Sequence, residues 1–390
     1  MDEKLEIEKE LKFTLCSSSG GKVIISGEHS VVYGKPALAF GINKHTKMDF
    51  SCYKSKPSSE CFALINLLSL KINLSIEKKI LIQQITSNTE NNNTINNNNN
   101  NSLENKHKNH FIQIVLNILK KIKNIIDIEK IINFIENNYF LVSISSDIPV
   151  GFGLGSSAAY NVCIVNGLCL LMNKILNNDI FSKKDILLLS NESEKIFHNG
   201  TPSGIDASCS LYGGVIIFNS IYNQKNIDIP VNNFFNEKIK FILINTKIQR
   251  NGGEFIKNVS NFKKNNPILF NDLINKIGEV TNNIITLITK DISDEDDCGK
   301  FFELIKLNQE LLKKICVSND EIDIIINLLE KNGFYGKISG AGGGGFIICF
   351  ALKEKIDNVY KLLNENKIDY INVNISKKPA NLIFYKLYKL

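Results

Sequence analysis

Two α+β domains are what this sequence predicts, on three observations. Its 390 residues exceed the roughly 250 that one hydrophobic core ordinarily organises. Short apolar runs that read as strands are interspersed with longer stretches of helical spacing. Between about residues 220 and 237 the chain turns polar and irregular, which puts a division into domains 1–225 and 226–390.

In chain order, KVIISG (22–27) and PALAFGI (36–42) read as buried strands around a GEHSVVYG turn. Residues 88–101 hold ten Asn in fourteen, too little apolar surface to offset ordering entropy, so 86–109 is expected to be a disordered surface insertion. HFIQIVLNILKKI and IEKIINFIEN have helical spacing, and YFLVSIS (139–145) alternates like a strand. PVGFGLGSSAA then leads from a glycine loop into an apolar helix. A helix is expected near 185–197, with strands at 211–218 and 239–247. Residues 253–332 are mainly helical, and GAGGGG (340–345) precedes an apolar strand, a last helix and two strands.

Bulk composition excludes disordered, collagenous and coiled-coil classes, since 43% of residues are hydrophobic and 22% charged. The net charge of +6 comes from scattered lysines without aromatic interleaving, so no nucleic-acid partner is expected. Of 46 basic residues only Arg250 is arginine. Nine cysteines without a CxxC pair, mostly among apolar neighbours, read as reduced buried thiols. The charged MDEKLEIEKELK start lacks a signal-peptide core, and the apolar runs are broken by Lys or Asn before about 18 residues, so a cytoplasmic protein with no membrane partner is expected.

Sixteen of the 24 glycines fall in four windows, and the chemistry is read there. In GFGLGSSAA, Gly151, Gly153 and Gly155 let a ligand approach the main chain, with Leu154 between them. Ser156 and Ser157 sit where an N-cap belongs and Ala158 opens the helix. A helix start presents free N–H groups to a phosphate, and the Ser157 hydroxyl can reach a phosphate-bound Mg²⁺. A capped glycine turn without a ligand is the plain alternative. GAGGGG satisfies GxGxxG as a string, but a strand follows it where a dinucleotide fold needs a helix, so it reads as a loop lying close on a neighbouring loop or ligand. EKIFHNGTPSGIDASCSLYGGV contributes Glu194, Ser203 and Asp206. Phosphoryl transfer to an alcohol needs an acceptor carboxylate, a metal on the phosphate and a cation. Asp206, Glu194 with Ser157, and Lys22 are one candidate for each.

Together KVIISGEHSVVYGKPALA, PVGFGLGSSAAYNV, HNGTPSGIDASCSLYGGV and KISGAGGGGFIICF resemble the four motifs of the GHMP small-molecule kinases. The resemblance implies an N-terminal nucleotide-binding domain and a C-terminal ferredoxin-like α/β sandwich domain. It implies ATP-dependent phosphorylation of (R)-mevalonate to (R)-5-phosphomevalonate in isoprenoid and sterol precursor synthesis. Asp206 is then the catalytic carboxylate, Lys22 its cationic partner, and Ser157 and Glu194 the Mg²⁺ ligands. Glu28, His29 and Ser203 line the substrate end, and a homodimer is the expected assembly. INTKIQRNG (244–252) is similar to the family's segment carrying a substrate-side arginine, and a guanidinium fork suits the carboxylate of mevalonate. Two departures stand out. SSGGK lacks the proline usual in the turn before the lysine, and Gly252 replaces a usual threonine. The other readings are a different GHMP activity, a phosphomevalonate or sugar kinase, or a catalytically silent nucleotide-binding regulator.

Overall fold

The computed structural model describes residues 11–55, 59–86, 102–197, 202–220, 223–227, 234–249, 252–290 and 295–387. The first half holds strands β1 (Leu11–Ser26), β2 (Ala37–Lys54), β3 (Cys61–Leu67), β4 (Ile72–Glu77), β5 (Asn138–Ser146), β6 (Val215–Ser220) and β7 (Asn223–Ile227). Its helices are α1 (Lys78–Thr86), α2 (Leu103–Lys123), α3 (Ile128–Asn137), α4 (Ser156–Leu176), α5 (Lys183–Glu194) and α6 (Ile205–Tyr212). The second half holds β8 (Ile239–Asn245), α7 (Gly252–Asn265), α8 (Pro267–Thr289), α9 (Glu295–Lys314), α10 (Asp320–Lys331), β9 (Tyr335–Ile338), β10 (Phe346–Leu352), α11 (Ile356–Glu365), β11 (Tyr370–Asn372) and β12 (Asn381–Leu387).

Two sheets organise these elements into a two-domain α+β fold. One runs β12-β1-β2-β5-β3-β4, with β6 on β2 and β7 on β6; the other is antiparallel, in the order β11-β8-β10-β9. The final strand therefore returns to the first sheet, where Phe13 to Ser18 of β1 pair with Leu387 to Asn381. One apolar core lies under the helical face of the first sheet, between β1, β2, β5 and helices α2 to α5. The other joins Val23, Ile25, Leu38 and Phe40 of β1 and β2 to Ile242, Ile277, Phe301 and Ile347. Because the end of β1 and the start of β2 sit in the core of the second sheet, the connection between them, residues 27–36, is held at the seam.

Several local expectations change. SSSGG is strand, continuous with KVIIS, and the pairing of β1 with β2 slips between Gly20 and Gly21; a β-bulge replaces the turn. Residues 211 and 212 end α6 before the strand begins at Val215. The insertion expected over 86–109 is narrower: Thr86 closes α1, and Ser102 accepts a hydrogen bond from the Asn105 N–H to cap α2, leaving 87–101 outside the described residues. His107 and His110 are buried on that helix beside Tyr160 of α4, His110 lying 4.5 Å from the Phe197 ring, centroid to centroid. Burial pushes the His110 pKa down to about 3, so this contact is made by a neutral ring.

Contrary to expectation, one helix among the described residues, α4, is long and apolar enough to cross a membrane. The structure explains its composition otherwise: α4 packs against β1, β2, α5 and α6, with Asn161 and Asn166 among its buried residues. The nine cysteines are free, six of them buried; desolvation pushes Cys52 and Cys163 up to about 12 and makes them poor nucleophiles.

Candidate active site

The site grows from one backbone contact. The Lys22 N–H donates to the Leu154 carbonyl at 2.9 Å, fastening the 151–155 loop to β1. A side chain at Gly21 would meet that carbonyl at 2.9 Å, so the strand needs glycine there. Gly151, Gly153 and Gly155 have φ of 84°, 84° and 74°, left-handed backbone that glycine adopts without strain. Gly155, rather than either serine, is the N-cap of α4. The serine hydroxyls are thereby freed from capping, and the N–H groups of the first turn project without intrahelical partners. That is the chemistry of a phosphate cradle.

Lys22 is nearly fully buried and its aliphatic stem covers Gly155. Its ammonium lies 3.1 Å from Asp206 Oδ1, and Asp206 is 33% exposed. Gly204, with φ 89°, caps the eight-residue α6 and sets Asp206 in its first turn, facing the seam. The Ser203 hydroxyl accepts from the Ile205 N–H at 3.4 Å and belongs to the same turn. On the other side, Ser157 Oγ donates to Glu194 Oε1 at 3.0 Å; Glu194 ends α5 and is buried. Two pairs predicted from separate windows thus flank the start of α4.

A hydroxyl and a carboxylate are hard oxygen donors, the set a small divalent cation takes when phosphate oxygens and water complete its shell. Among the described residues no three His, Cys, Asp or Glu side chains group closely enough to hold a metal alone. The donors at Ser157 and Glu194 therefore fit a metal that arrives with a nucleotide.

His29 stands at the seam with φ 59°, its Nε2 3.2 Å from the Ala341 carbonyl oxygen. Glu28 does not join the open part of the site. Its fully buried carboxylate accepts from Lys337 Nζ, and its second oxygen accepts from Asn308 Nδ2 at 3.4 Å. Burial lowers the Lys337 pKa from the ordinary lysine range while the Glu28 carboxylate opposes the shift. Arg250 lies outside the described residues. The segment leading to Arg250 is placed, however. Gly345 N–H donates to Ile248 O at 3.0 Å, and Thr246 Oγ1 donates to Gly345 O at 2.9 Å. Gln249 then lies beside Gly151.

The GAGGGG loop closes on the phosphate loop as expected. Phe152 and Phe346 rings are 5.7 Å apart, and a Cβ at Gly345 would overlap the Phe152 carbonyl oxygen. Gly343 N–H is held by Val317 O at 2.9 Å. Phe152, Thr246, Ile248 and Lys337 were not singled out by sequence reasoning. Only Lys337 carried a signal, a charged residue inside the short strand Tyr335–Ile338, just before the glycine loop.

Comparison with known proteins agrees with this arrangement. Residues 109–214 match the family model described as GHMP kinases N terminal domain, and residues 293–369 match GHMP kinases C terminal. A mevalonate kinase of Archaeoglobus fulgidus is 29% identical over 341 residues, covering 87% of this chain and 94% of the relative. That of Schizosaccharomyces pombe is 24% identical over 375 residues, covering 92% and 88%. The crystal structure of the Methanococcus jannaschii mevalonate kinase superposes with a TM-score of 0.69 at 23% identity, over 93% of this chain and 98% of that one. The L. major enzyme in complex with R-mevalonate gives 0.63 at 20% identity, over 93% and 95%; at such identities the likeness speaks for the fold. With both domain models matched in order and relatives aligned over nearly the whole length, the chain belongs to the GHMP kinases.

Proposed function

We propose that the protein transfers the γ-phosphoryl group of ATP to the terminal hydroxyl of (R)-mevalonate, forming ADP and (R)-5-phosphomevalonate. The observation that carries this is the Lys22–Asp206 pair, 3.1 Å apart, set beside the glycine loop at the start of α4. The relatives named mevalonate kinase supply the acceptor's identity.

In this reading the first-turn N–H groups of α4 and residues 151–158 cradle the phosphates. Mg²⁺ held by Ser157 and Glu194 supplies charge neutralisation on the phosphate oxygens. The acceptor oxygen attacks γ-phosphorus in line as the bond to the bridging oxygen of ADP breaks, and its proton passes to an Asp206 carboxylate oxygen. Lys22 fixes Asp206 and offsets negative charge; a loose transition state asks for positioning and charge more than early proton removal. His29 and Ser203 line the acceptor end, and Arg250 grips its carboxylate. The same proposal includes a division at 225/226 with β12 crossing back, a homodimer, and a cytoplasmic location.

Release of ADP with mevalonate, phosphomevalonate, galactose and homoserine tests the acceptor. Mevalonate is expected to exceed the others in kcat/KM by at least about a hundredfold, since galactose lacks the carboxylate, homoserine brings an additional ammonium and phosphomevalonate has its terminal oxygen already phosphorylated. Faster turnover of any other acceptor overturns the assignment. Arg250→Lys tests the carboxylate contact. Losing a bidentate charged pair corresponds to about a tenfold or greater rise in the mevalonate KM, with the ATP KM within about twofold. Equal rises in both would remove Arg250 from the acceptor end.

A further inference from the structure

The Glu28–Lys337 pair joins residues 309 positions apart, and both side chains are completely buried. Lys337 Nζ donates to Glu28 Oε1 and to the Ile338 carbonyl, and Asn308 of α9 donates to the other carboxylate oxygen. Removing two charges from water costs several kcal/mol per ion, and apolar residues of similar volume usually serve stability as well or better. Stability is therefore a weak reason for this pair.

Its location suggests a better one. Glu28 immediately precedes His29, whose left-handed backbone a non-glycine residue keeps only when its surroundings impose it. Lys337 lies three residues before Gly340, where the GAGGGG loop begins. Neutral contacts cross the same seam: Ile24 N–H donates to Ser339 Oγ at 3.0 Å, Ser26 Oγ meets Thr281 Oγ1 at 2.7 Å, and His29 Nε2 lies 3.2 Å from Ala341 O. Gln309 Oε1 accepts from the Ile338 N–H at 2.9 Å. Hydroxyl and backbone contacts tolerate small slips along the seam. A buried cation and anion do not, because a shift would leave each unpaired in a low-dielectric interior.

We propose that Glu28 and Lys337 are positioning residues for phosphoryl transfer, a charged clasp that holds the His29 turn and the Gly340–Gly345 loop in one register around the Lys22–Asp206 site. Neither touches substrate. The inference rests on the function proposed above, because its kinetic readout is mevalonate phosphorylation.

Two variants test it. Glu28→Asp keeps the charge but withdraws it by one methylene and so stretches the pair, and Glu28→Gln with Lys337→Met removes both charges together, so that the double variant leaves no buried ion without its partner. In the double variant the Tm is expected within a few degrees of the parent, while kcat falls about thirtyfold or more and the ATP KM stays within about threefold. A misplacement of about 1 Å suffices for such a loss. Glu28→Asp should fall between the two. Amide hydrogen exchange over residues 27–34 and 338–346 should accelerate about tenfold or more in the double variant, and detectably in Glu28→Asp. Parental kcat and exchange in Glu28→Asp and in any folded double variant overturn the clasp. A double variant that does not fold leaves Glu28→Asp to decide by the same two readouts. Failure of the unaltered protein to phosphorylate mevalonate would instead overturn the acceptor assignment, and the exchange comparison would still judge the clasp.

Discussion

Asp206→Asn is expected to fold, to bind ATP with a Kd within about threefold of the parent, and to lose turnover by about a thousandfold or more. The amide has the shape of the carboxylate but cannot take the acceptor proton or pair with the Lys22 ammonium 3.1 Å away. Base catalysis by a positioned group contributes about 10²–10⁴, and misplacing Lys22 adds to the loss. Stability is expected to fall as well, because the nearly fully buried Lys22 ammonium loses its counter-charge, with the one-third exposure of Asp206 letting water replace only part of the pairing. Single-turnover phosphorylation beside an independent ATP titration separates the two quantities. Turnover within about tenfold of the parent would assign the proton transfer elsewhere.

Gly345→Ala is the second large effect, and it comes from the tertiary structure alone. Gly345 has φ 79° and its carbonyl accepts from Thr246 through both N–H and Oγ1. A methyl group there overlaps the Phe152 carbonyl oxygen, which is backbone and has no rotamer to turn away. Strain is therefore passed into the phosphate loop between Gly151 and Gly153. The ATP KM is expected to rise about tenfold or more, the scale of a small displacement at a positioned site. Gly34→Ala provides the comparison: its φ is 77°, but nothing lies within 4 Å of the added methyl. There only the left-handed conformation costs about 1–2 kcal/mol, lowering Tm with no change in ATP KM. If the two variants shift ATP KM alike, the contact between the loops has no bearing on nucleotide binding.

Much of the site was legible because its signals are local. The glycines at 151, 153 and 155 declare a left-handed loop, and the small residues and apolar run after them declare a helix, which is where α4 begins. IEKIINFIEN became α3 over the predicted residues, since 3.6-residue spacing needs only its own neighbours. Other errors have physical causes. The resemblance implied a turn at SSGGK, yet pairing of these residues with Thr46, Lys47 and Met48 on one side and β12 on the other makes the segment strand. Tertiary pairing overrode propensity there. The Asn tract hid the cap at Ser102 because composition averages over residues, whereas a cap is a single hydrogen bond. An apolar helix of membrane length and a buried core helix are alike in composition, and α4 was resolved by what surrounds it.

By itself the sequence determined the mixed α+β character, the four glycine windows and the residue types phosphoryl transfer requires, because backbone freedom, periodicity and functional groups belong to residues taken a few at a time. The resemblance already set Lys22 with Asp206 and Ser157 with Glu194, and the tertiary structure gave those pairs their geometry; it alone showed that the Glu28 carboxylate meets Lys337 and that the last strand meets the first. Those pairings depend on sheet register and on two cores sharing β1 and β2, and contacts between residues tens to hundreds of positions apart leave no periodic trace in the chain.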